Sequence, residues 1–199
     1  MHESSYRHMA RLVDRHLEPG RPLSILDVGS LDLNGSYRPL FDRPGWVYRG
    51  LDLTAGPNVD LVVESAHCWP LPSGGLDLVV SGQTFEHVEL FWLTWLEMVR
   101  VLRAGGLIFL IAPSRGPQHR HPVDCWRFYP DGFRALARYG GVELVEVHTD
   151  ADLDPEPASS EWGDTVGVFR KPLVGRARAL RRALAERLQR WVLGGYREQ

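Results

Sequence analysis

Residues 23–35 read LSILDVGSLDLNG, a short apolar run that ends in an acid and a glycine and continues into a turn-rich segment. An apolar run of this length, bounded by turn residues, predicts a buried strand over residues 23–28. A glycine directly after a buried strand lets the backbone turn tightly and approach a ligand. Asp32, Asn34 and Gly35 tolerate the unusual backbone angles of such a loop. The segment therefore predicts a first strand with a ligand-binding loop at its carboxyl end.

Further strands and helices alternate along the rest of the chain. The strands are continuous apolar runs, which is typical of a parallel sheet covered by helices on both faces. The sequence therefore predicts an α/β fold, in which ligands bind beyond the carboxyl ends of the strands. Strands are predicted at residues 46–53, 60–65, 76–81, 107–112, 142–147 and 165–169, and helices at about 3–18, at 85–102 and at 131–139.

Composition limits the classes of protein to consider. A chain of 199 residues with 44% hydrophobic residues suits one domain, residues 1–199, with one sizeable core. A formal net charge of -2 gives no reason to expect nucleic acid as a partner. Cys68 and Cys125 fit no zinc spacing, which favours a reduced, cytoplasmic setting. No signal peptide and no bilayer-spanning run is evident, so stable membrane insertion is not expected.

The segment from about residue 175 to residue 193 has a different character. It carries six arginines against one acid, with an apolar stripe at helical spacing, and predicts a basic amphipathic helix. Such a helix can bind a membrane surface or a partner, or it can dock on its own domain. We expect the stripe from Leu180 to Trp191 to be buried, either within the subunit or in a homodimer.

Asp52 ends the predicted second strand. A carboxylate at that place can accept hydrogen bonds from both ribose hydroxyls of an adenosine. The first loop is not GxGxxG, because Leu31, Asp32 and Leu33 occupy the stretch where a dinucleotide fingerprint has glycines. The acidic Asp32 would repel a pyrophosphate, whereas S-adenosylmethionine has no phosphate and carries an ammonium and a sulfonium group. The charges therefore favour the methyl donor over a nicotinamide dinucleotide.

Four segments, ILDVGS, YRGLDL, VVESAHCWPLPSGGLDLVVSGQTFEHV and VLRAGGLIFLIAPS, follow one another in the chain. In this order they resemble class I S-adenosylmethionine-dependent methyltransferases, in particular the small-molecule branch called type 11. The likeness runs from about Leu23 to Pro172 and includes a late WGDTVGVFRK strand. It implies a Rossmann-like sheet of seven strands, mostly parallel, whose last strand is antiparallel. It also implies S-adenosyl-L-methionine as cofactor and S-adenosyl-L-homocysteine as product.

The resemblance assigns cofactor contacts residue by residue. Asp27 matches the family acid at the end of strand one, and Asp52 the acid that binds the ribose. Ser65 and Ala66 fall where the family usually has Asp-Ala against the adenine edge. The cofactor-binding residues that the resemblance and the loop imply are Asp27, Gly29, Ser30, Asn34, Gly35, Asp52, Leu53, Ser65, Ala66 and Gln83.

Glu86 and His87 form a pair that the family commonly has after strand four. Some relatives have ExxEH there and bind a divalent metal. In this chain Gln83 replaces the first acid, and a neutral amide is a weaker ligand for a hard cation than a carboxylate. We therefore expect no metal and no requirement for Mg²⁺. The alternative role for Glu86 is to stabilise the start of a helix.

The most distinctive stretch is PSRGPQHRHPVDCWRFY, residues 113–129, which follows strand five at the edge where an acceptor should lie. Imidazoles can take a proton and aromatic or guanidinium groups can hold a polar ring. We expect His121 to be the general base, oriented by Asp124, with His87 as the runner-up. The residues expected to bind the acceptor are His119, Arg120, Trp126, Arg127 and Tyr129. The bland interpretation is that the aromatic residues close the core and that Arg127 pairs with Asp124.

Loops of this kind resemble those of bacterial methyltransferases in saccharide and natural-product pathways. The favoured function is therefore methyl transfer, to oxygen, on a saccharide-like or natural-product small molecule. One alternative is a catalytically silent subunit that binds S-adenosylmethionine and serves a partner. Another is a nicotinamide-dependent oxidoreductase on a similar sheet, which the missing GxGxxG disfavours.

Overall fold

The computed structural model describes residues 3–149 and 163–173, together with Leu184 and Leu188. Its seven strands form one sheet in the order β3-β2-β1-β4-β5-β7-β6. β5–β7 and β6–β7 are antiparallel and the other pairs are parallel. The strands are β1 Leu23–Val28, β2 Trp46–Asp52, β3 Leu61–Val62, β4 Leu76–Gly82, β5 Leu102–Pro113, β6 Glu143–Thr149 and β7 Asp164–Arg170. The α/β fold expected from the sequence, with its antiparallel last strand, is confirmed.

Helices cover both faces of this sheet: α1 Glu3–His16, α2 Arg38–Phe41, α3 Phe91–Val101 and α4 Pro130–Gly140, with a 3-10 turn at Phe85–His87. Neighbouring strand residues point to opposite faces, so Ile25 belongs to one apolar cluster and Leu26 to the other. α1 buries Met9, Leu12 and Val13 on the first face, against β5 and β7. α3 and α4 belong to the second face. Burial on both faces explains why the strands are continuous apolar runs.

One predicted helix and one predicted strand have different bounds in the structure. The helix expected at residues 85–102 is interrupted after the 3-10 turn, because the Glu86 carbonyl accepts the Cys125 backbone N–H at 2.7 Å. A carbonyl engaged by a distant loop does not continue an α-helical ladder. β5 begins at Leu102, five residues earlier than expected. Gly105 lies inside it with a φ of 78°, where the register with β4 shifts.

The C-terminal helix expected at about 175–193 lies outside the described residues, except for Leu184 and Leu188. Both are helical and exposed in the single chain. Burial of this stripe by a second copy therefore stays a prediction. Among the described residues, no helix is both long and apolar enough to cross a membrane.

Candidate cofactor and acceptor site

A cavity of about 450 Å³ lies at the carboxyl ends of β1, β2 and β4. β1 pairs with β2 on one side and with β4 on the other, so the crevice is at the point where the strand order reverses. Ligands of α/β sheets bind in such a crevice. The predicted cofactor residues that line it are Asp27, Gly29, Ser30, Asn34, Gly35, Asp52, Leu53, Ala66 and Gln83.

Gly29 makes the turn after β1. Its φ is 76°, a conformation that residues with a side chain rarely adopt, and a Cβ there would lie 2.2 Å from the Thr84 side chain. Its backbone N–H donates to the Leu51 carbonyl at 2.9 Å, which ties the loop to β2. Only glycine therefore permits the backbone to pass between β2 and the segment after β4.

Asp27 is almost completely buried, with 3% of its surface exposed. The Tyr48 hydroxyl donates a hydrogen bond to its carboxylate. Burial raises the pKa of Asp27 to about 7, against the opposing effects of the Tyr48 hydrogen bond and the Arg38 charge. The cavity wall therefore carries a carboxyl group whose pKa is close to neutral pH. A cationic ligand would favour the ionised form of this group.

Asp52 ends β2, as expected, and its two oxygens hold backbone amides. The Leu31 N–H donates to Oδ2 at 3.0 Å and the Thr54 N–H to Oδ1 at 3.1 Å. A carboxylate oxygen can accept more than one hydrogen bond, so each oxygen of Asp52 can still accept one from a ligand hydroxyl group. Asp52 therefore both anchors the β1 loop and faces the cavity.

Two residues assigned from the resemblance are placed differently from the others. Ser65 does not line the cavity, and its hydroxyl accepts the His67 backbone N–H at 3.2 Å. Its neighbour Ala66 does line the cavity. Gln83 lines it as well, but its side-chain amide donates to Asp164 Oδ1 at 2.7 Å. The adenine contact expected of Ser65 therefore has no support from the cavity wall.

Glu86 and His87 reach the other end of the same cavity from the 3-10 turn. Glu86 is not at the start of the long helix, so it does not stabilise one. Its side chain is completely buried, and burial raises the pKa of Glu86 to about 8. His87 donates from Nδ1 to the Val123 carbonyl across 2.6 Å, and burial lowers its pKa.

Three histidine rings surround this end of the cavity. The ring centroid of His87 lies 4.8 Å from that of His119 and 5.7 Å from that of His121. The centroids of His119 and His121 are 5.8 Å apart. All three residues line the cavity, so the loop after β5 and the turn after β4 together form this end of it. We call it the acceptor end, because the sequence predicts the acceptor there.

Asp124 does not orient His121 in this structure. Arg127 donates to both of its oxygens, at 2.6 and 2.9 Å, and the His119 backbone N–H donates to Oδ2 at 2.7 Å. The hydrogen bonds from Arg127 lower the pKa of Asp124. The expected pair of His121 and Asp124 is thus replaced by an ion pair of Asp124 with Arg127, which closes the loop on itself.

Four residues expected to bind the acceptor do not line the cavity: Arg120, Trp126, Arg127 and Tyr129. Trp126 donates from its indole to the carbonyls of Val88 and Glu89, both at 3.1 Å, and packs edge-on against Phe91. Tyr129 precedes α4 and is 64% exposed. The sequence alone could not distinguish these structural roles from acceptor contacts. A loop of this length can fold back on itself, so its side chains can bind its own backbone or face the cavity.

Asn58 and Tyr37 line the cavity and were not expected to. Asn58 has a φ of 69° and donates from its side chain to the Ser30 carbonyl at 2.8 Å. Tyr37 is buried and its hydroxyl lies 2.5 Å from that of Ser5 in α1. A left-handed asparagine in a turn is a weak sequence signal, and no signal marks Tyr37.

Residues 26–110 match the model of a family described as a methyltransferase domain, the type 11 group. The match runs from β1 into β5 and so includes the acids that end β1 and β2 and the Glu-His pair. Over these residues the chain is similar to a methyltransferase domain. S-adenosyl-L-methionine, the cofactor expected from the sequence, is the methyl donor of such domains.

Curated proteins that are similar to this chain include two from mycobacteria. An uncharacterised methyltransferase of Mycobacterium bovis (strain BCG / Pasteur 1173P2) is 32% identical over 136 residues, which are 62% of this chain and 52% of that protein. One of Mycolicibacterium gilvum (strain PYR-GCK) is 30% identical over 129 residues, or 60% of this chain and 50% of that protein. The chain spans about half the length of the curated relatives it matches.

Solved structures share the fold of this chain. The 1,6-didemethyltoxoflavin-N1-methyltransferase of Burkholderia thailandensis, with that compound and S-adenosylhomocysteine bound, aligns with a TM-score of 0.67 at 18% identity, over 86% of this chain and 80% of that one. A methyltransferase of Aquifex aeolicus aligns with a TM-score of 0.62 at 15% identity, over 84% and 90%. The [4+2]-cyclase SpnF aligns with a TM-score of 0.65 at 15% identity, over 85% and 81%. Because this fold carries more than one chemistry, the reaction has to be argued from the site.

Proposed function

We propose that this chain is a methyltransferase domain that transfers the methyl group of S-adenosyl-L-methionine to an oxygen atom of a saccharide-like or natural-product small molecule. The observation that carries the proposal is a single cavity with two different ends. One end has the loop of Gly29 and the carboxylates of Asp27 and Asp52. The other has the three histidines of the acceptor end.

Methyl transfer is an in-line displacement, so the acceptor atom has to lie on the far side of the methyl group from sulfur. Correct orientation of two reactants can supply roughly 7–11 kcal/mol of the barrier. A cavity of about 450 Å³ that is continuous from one end to the other can hold both reactants in one line. The catalytic contribution of this chain is then chiefly to position the acceptor and exclude water.

A hydroxyl acceptor loses its proton as the new bond to carbon forms. His121 is our choice for the group that takes this proton, because it lines the acceptor end. Within residues 3–149 and 163–173 its ring is not bound to a backbone carbonyl, whereas that of His87 is. Asp124 contributes indirectly, since it fixes the loop through the His119 amide and Arg127. His87 remains the second choice.

The net charge of the chain and the size of the cavity support a small-molecule acceptor. The formal net charge of -2 gives no electrostatic reason to bind nucleic acid. The cavity has the size of a small-molecule site. The solved N1-methyltransferase from Burkholderia thailandensis, which shares the fold, holds 1,6-didemethyltoxoflavin beside S-adenosylhomocysteine. A cytoplasmic location accompanies this proposal, because the donor and the reduced cysteines Cys68 and Cys125 belong in a reducing compartment.

The test has two steps. First, purified protein is examined by mass spectrometry for co-purified S-adenosylhomocysteine and by calorimetry for binding of both cofactor forms. Second, saccharides and hydroxylated natural products are screened with isotope-labelled methyl donor, with Asp52→Ala protein as the matched control. We expect cofactor binding and label in a product that depends on Asp52. Binding without any transfer across the screen would favour the silent partner subunit, and binding of NADH in place of the methyl donor would refute the proposal.

A further inference from the structure

Glu86, His87 and His119 bring three ligand-type side chains together at the acceptor end of the cavity. One carboxylate or ring-nitrogen atom from each lies within 4.8 Å of the other two. Two of them come from the 3-10 turn after β4 and the third from the loop after β5. This grouping is a product of the fold, since more than thirty residues separate its two parts.

The carboxylate of Glu86 is the least satisfied member of the group. It has no exposed surface, and neither oxygen accepts a hydrogen bond within the described part of the chain. Ionising a buried carboxyl group without a partner is costly, and buried carboxylates are usually paired or bound to a metal. Its closest cationic candidate is the His87 ring, with Nε2 at 3.6 Å from Oε1.

His87 is oriented by a hydrogen bond of the kind that orients metal-binding histidines. Its Nδ1 donates to the Val123 carbonyl at 2.6 Å, and a carbonyl can only accept, so the hydrogen is on Nδ1. The lone pair of the neutral ring is therefore on Nε2, which faces Glu86. A hydrogen bond from the second ring nitrogen to a carbonyl or a carboxylate fixes the tautomer of almost every metal-ligating histidine.

His119 is positioned by its own backbone. Asp124 Oδ2 accepts its N–H at 2.7 Å and lies 3.3 Å from ring atom Nδ1. The guanidinium of Arg127 acts on Glu86 by its charge, and that charge is already balanced by Asp124. The local charge therefore does not oppose a cation at this place.

We propose that Glu86, His87 and His119 bind one divalent transition-metal ion of the Zn²⁺ type. Two imidazoles and one carboxylate suit a borderline cation and not Mg²⁺, which prefers oxygen ligands. Ligand atoms of a tetrahedral Zn²⁺ site lie about 3.4 Å apart, close to the 3.6 Å between Glu86 Oε1 and His87 Nε2. Gln83 takes no part, because its amide is engaged by Asp164.

The site replaces the expectation of no metal that rested on Gln83. The sequence motif QxxEH suggests a lost ligand, whereas the fold supplies a different third ligand from the loop after β5. Binding of the ion is independent of the proposed function. Only its use there, as a Lewis acid toward an acceptor oxygen in the cavity, rests on methyl transfer.

The experiment titrates chelator-treated full-length protein with Zn²⁺, Co²⁺ and Mg²⁺ by calorimetry, and records the visible absorption of the Co²⁺ form. We expect one equivalent of Zn²⁺ or Co²⁺ and none of Mg²⁺. Loss of an outer partner of a metal ligand weakens affinity about 10–100-fold, so Glu86→Gln and His119→Asn should weaken it at least as much. His16→Asn is the matched control, because His16 and Glu146 form a histidine–carboxylate pair outside this cavity.

Wild-type affinity in the His119→Asn protein, or a loss equal to that of the His16→Asn control, would overturn the site. If Glu86→Gln fails to fold, the His119→Asn titration and its Co²⁺ spectrum decide. Calorimetry with S-adenosylhomocysteine on the same proteins separates this result from the proposed function. Cofactor binding without Zn²⁺ binding refutes the metal site alone, and Zn²⁺ binding without cofactor binding refutes the methyltransferase proposal alone.

Discussion

Arg127 donates hydrogen bonds to both carboxylate oxygens of Asp124, from Nη1 to Oδ1 at 2.6 Å and from Nη2 to Oδ2 at 2.9 Å. The same Oδ2 accepts the His119 backbone N–H. A bidentate pair of this kind fixes direction as well as distance. The ion pair therefore sets where the His119 ring lies, although neither Asp124 nor Arg127 lines the cavity.

Arg127→Ala should reduce turnover strongly and leave cofactor affinity unchanged. Without the guanidinium the loop loses its internal brace, and a displacement of about 1 Å at a reacting group can cost about 10²-fold in rate. Labelled methyl transfer gives the rate and calorimetry gives the affinity for S-adenosylhomocysteine. Arg120→Ala, an exposed arginine of the same loop, is the control and should behave as wild type. Equal effects of the two substitutions would contradict the bracing role.

Asp52→Ala should weaken cofactor binding, because two ribose hydrogen bonds to a carboxylate are lost, each worth roughly 1.5–3 kcal/mol. The Leu31 amide also loses its acceptor, which adds to the effect. Isothermal calorimetry with S-adenosylhomocysteine measures the change.

Asp77→Ala is the matched control for Asp52. Asp77 likewise accepts a backbone N–H, that of Ser24 at 2.9 Å, but does not line the cofactor cavity. We expect it to lower the melting temperature without changing cofactor affinity. Unchanged affinity in Asp52→Ala would place the ribose elsewhere.

Affinity for S-adenosyl-L-methionine should rise with pH as Asp27 ionises. The pKa of Asp27 is raised to about 7 in the free protein, so much of the group is neutral below that value. The ammonium and sulfonium groups of the cofactor favour the charged form, and binding therefore strengthens between about pH 6 and pH 8. Calorimetry across this range tests the slope. Asp27→Asn, which cannot ionise, should remove it, and an identical slope in that variant would exclude Asp27 as its source.

The stability of the free protein changes with pH in the opposite direction to cofactor affinity. A carboxyl group whose folded pKa exceeds its unfolded value of about 3.8 contributes full stability below that value, and the contribution is lost as pH rises through about 7. The free energy of unfolding of wild type, relative to Asp27→Asn, should therefore fall over that window in the absence of cofactor. Urea unfolding at several pH values measures it.

His121→Ala should lower turnover by about 10²–10⁴-fold, the usual contribution of a positioned general base, while cofactor affinity stays nearly constant. The loss comes from the proton-transfer step, because His121 lines the acceptor end of the cavity. Single-turnover rates with labelled donor provide the measurement. Should His121→Ala keep wild-type turnover while His87→Ala abolishes it, the base belongs to the turn after β4.

Glu97→Ala should destabilise the fold by about 3–5 kcal/mol, since it leaves the buried guanidinium of Arg100 without its carboxylate. The two side chains pair at 2.7 Å and are each 3% exposed. The exposed pair of Asp131 and Arg134 has the same i,i+3 spacing and is the control, with an expected effect of Asp131→Ala of about 0–1 kcal/mol. Denaturant unfolding compares the two, and similar losses would mean that burial does not govern the pair.

Several features could be predicted from local sequence because their cause is local. The buried strands β1 and β4 show as apolar runs, and their carboxyl ends place Asp27, Gly29 and Asp52 at one edge of the sheet. The interruption before α3 could not be predicted in this way. It depends on the Glu86 carbonyl being taken by a loop amide almost forty residues away.

By itself the sequence determined the α/β fold, the acids and the glycine at the carboxyl ends of β1 and β2, and the composition of the loop after β5, because these follow from hydrophobic period and from residue types at strand ends. Only the tertiary structure decided the partners within that loop. Asp124 bonds Arg127 rather than His121, and His119 joins Glu86 and His87. The physical reason is that hydrogen bonds and metal ligation act over about 2–4 Å, and a flexible loop can bring any of its neighbours within that range. Its path, and so the choice of partner, is set by packing against the turn after β4.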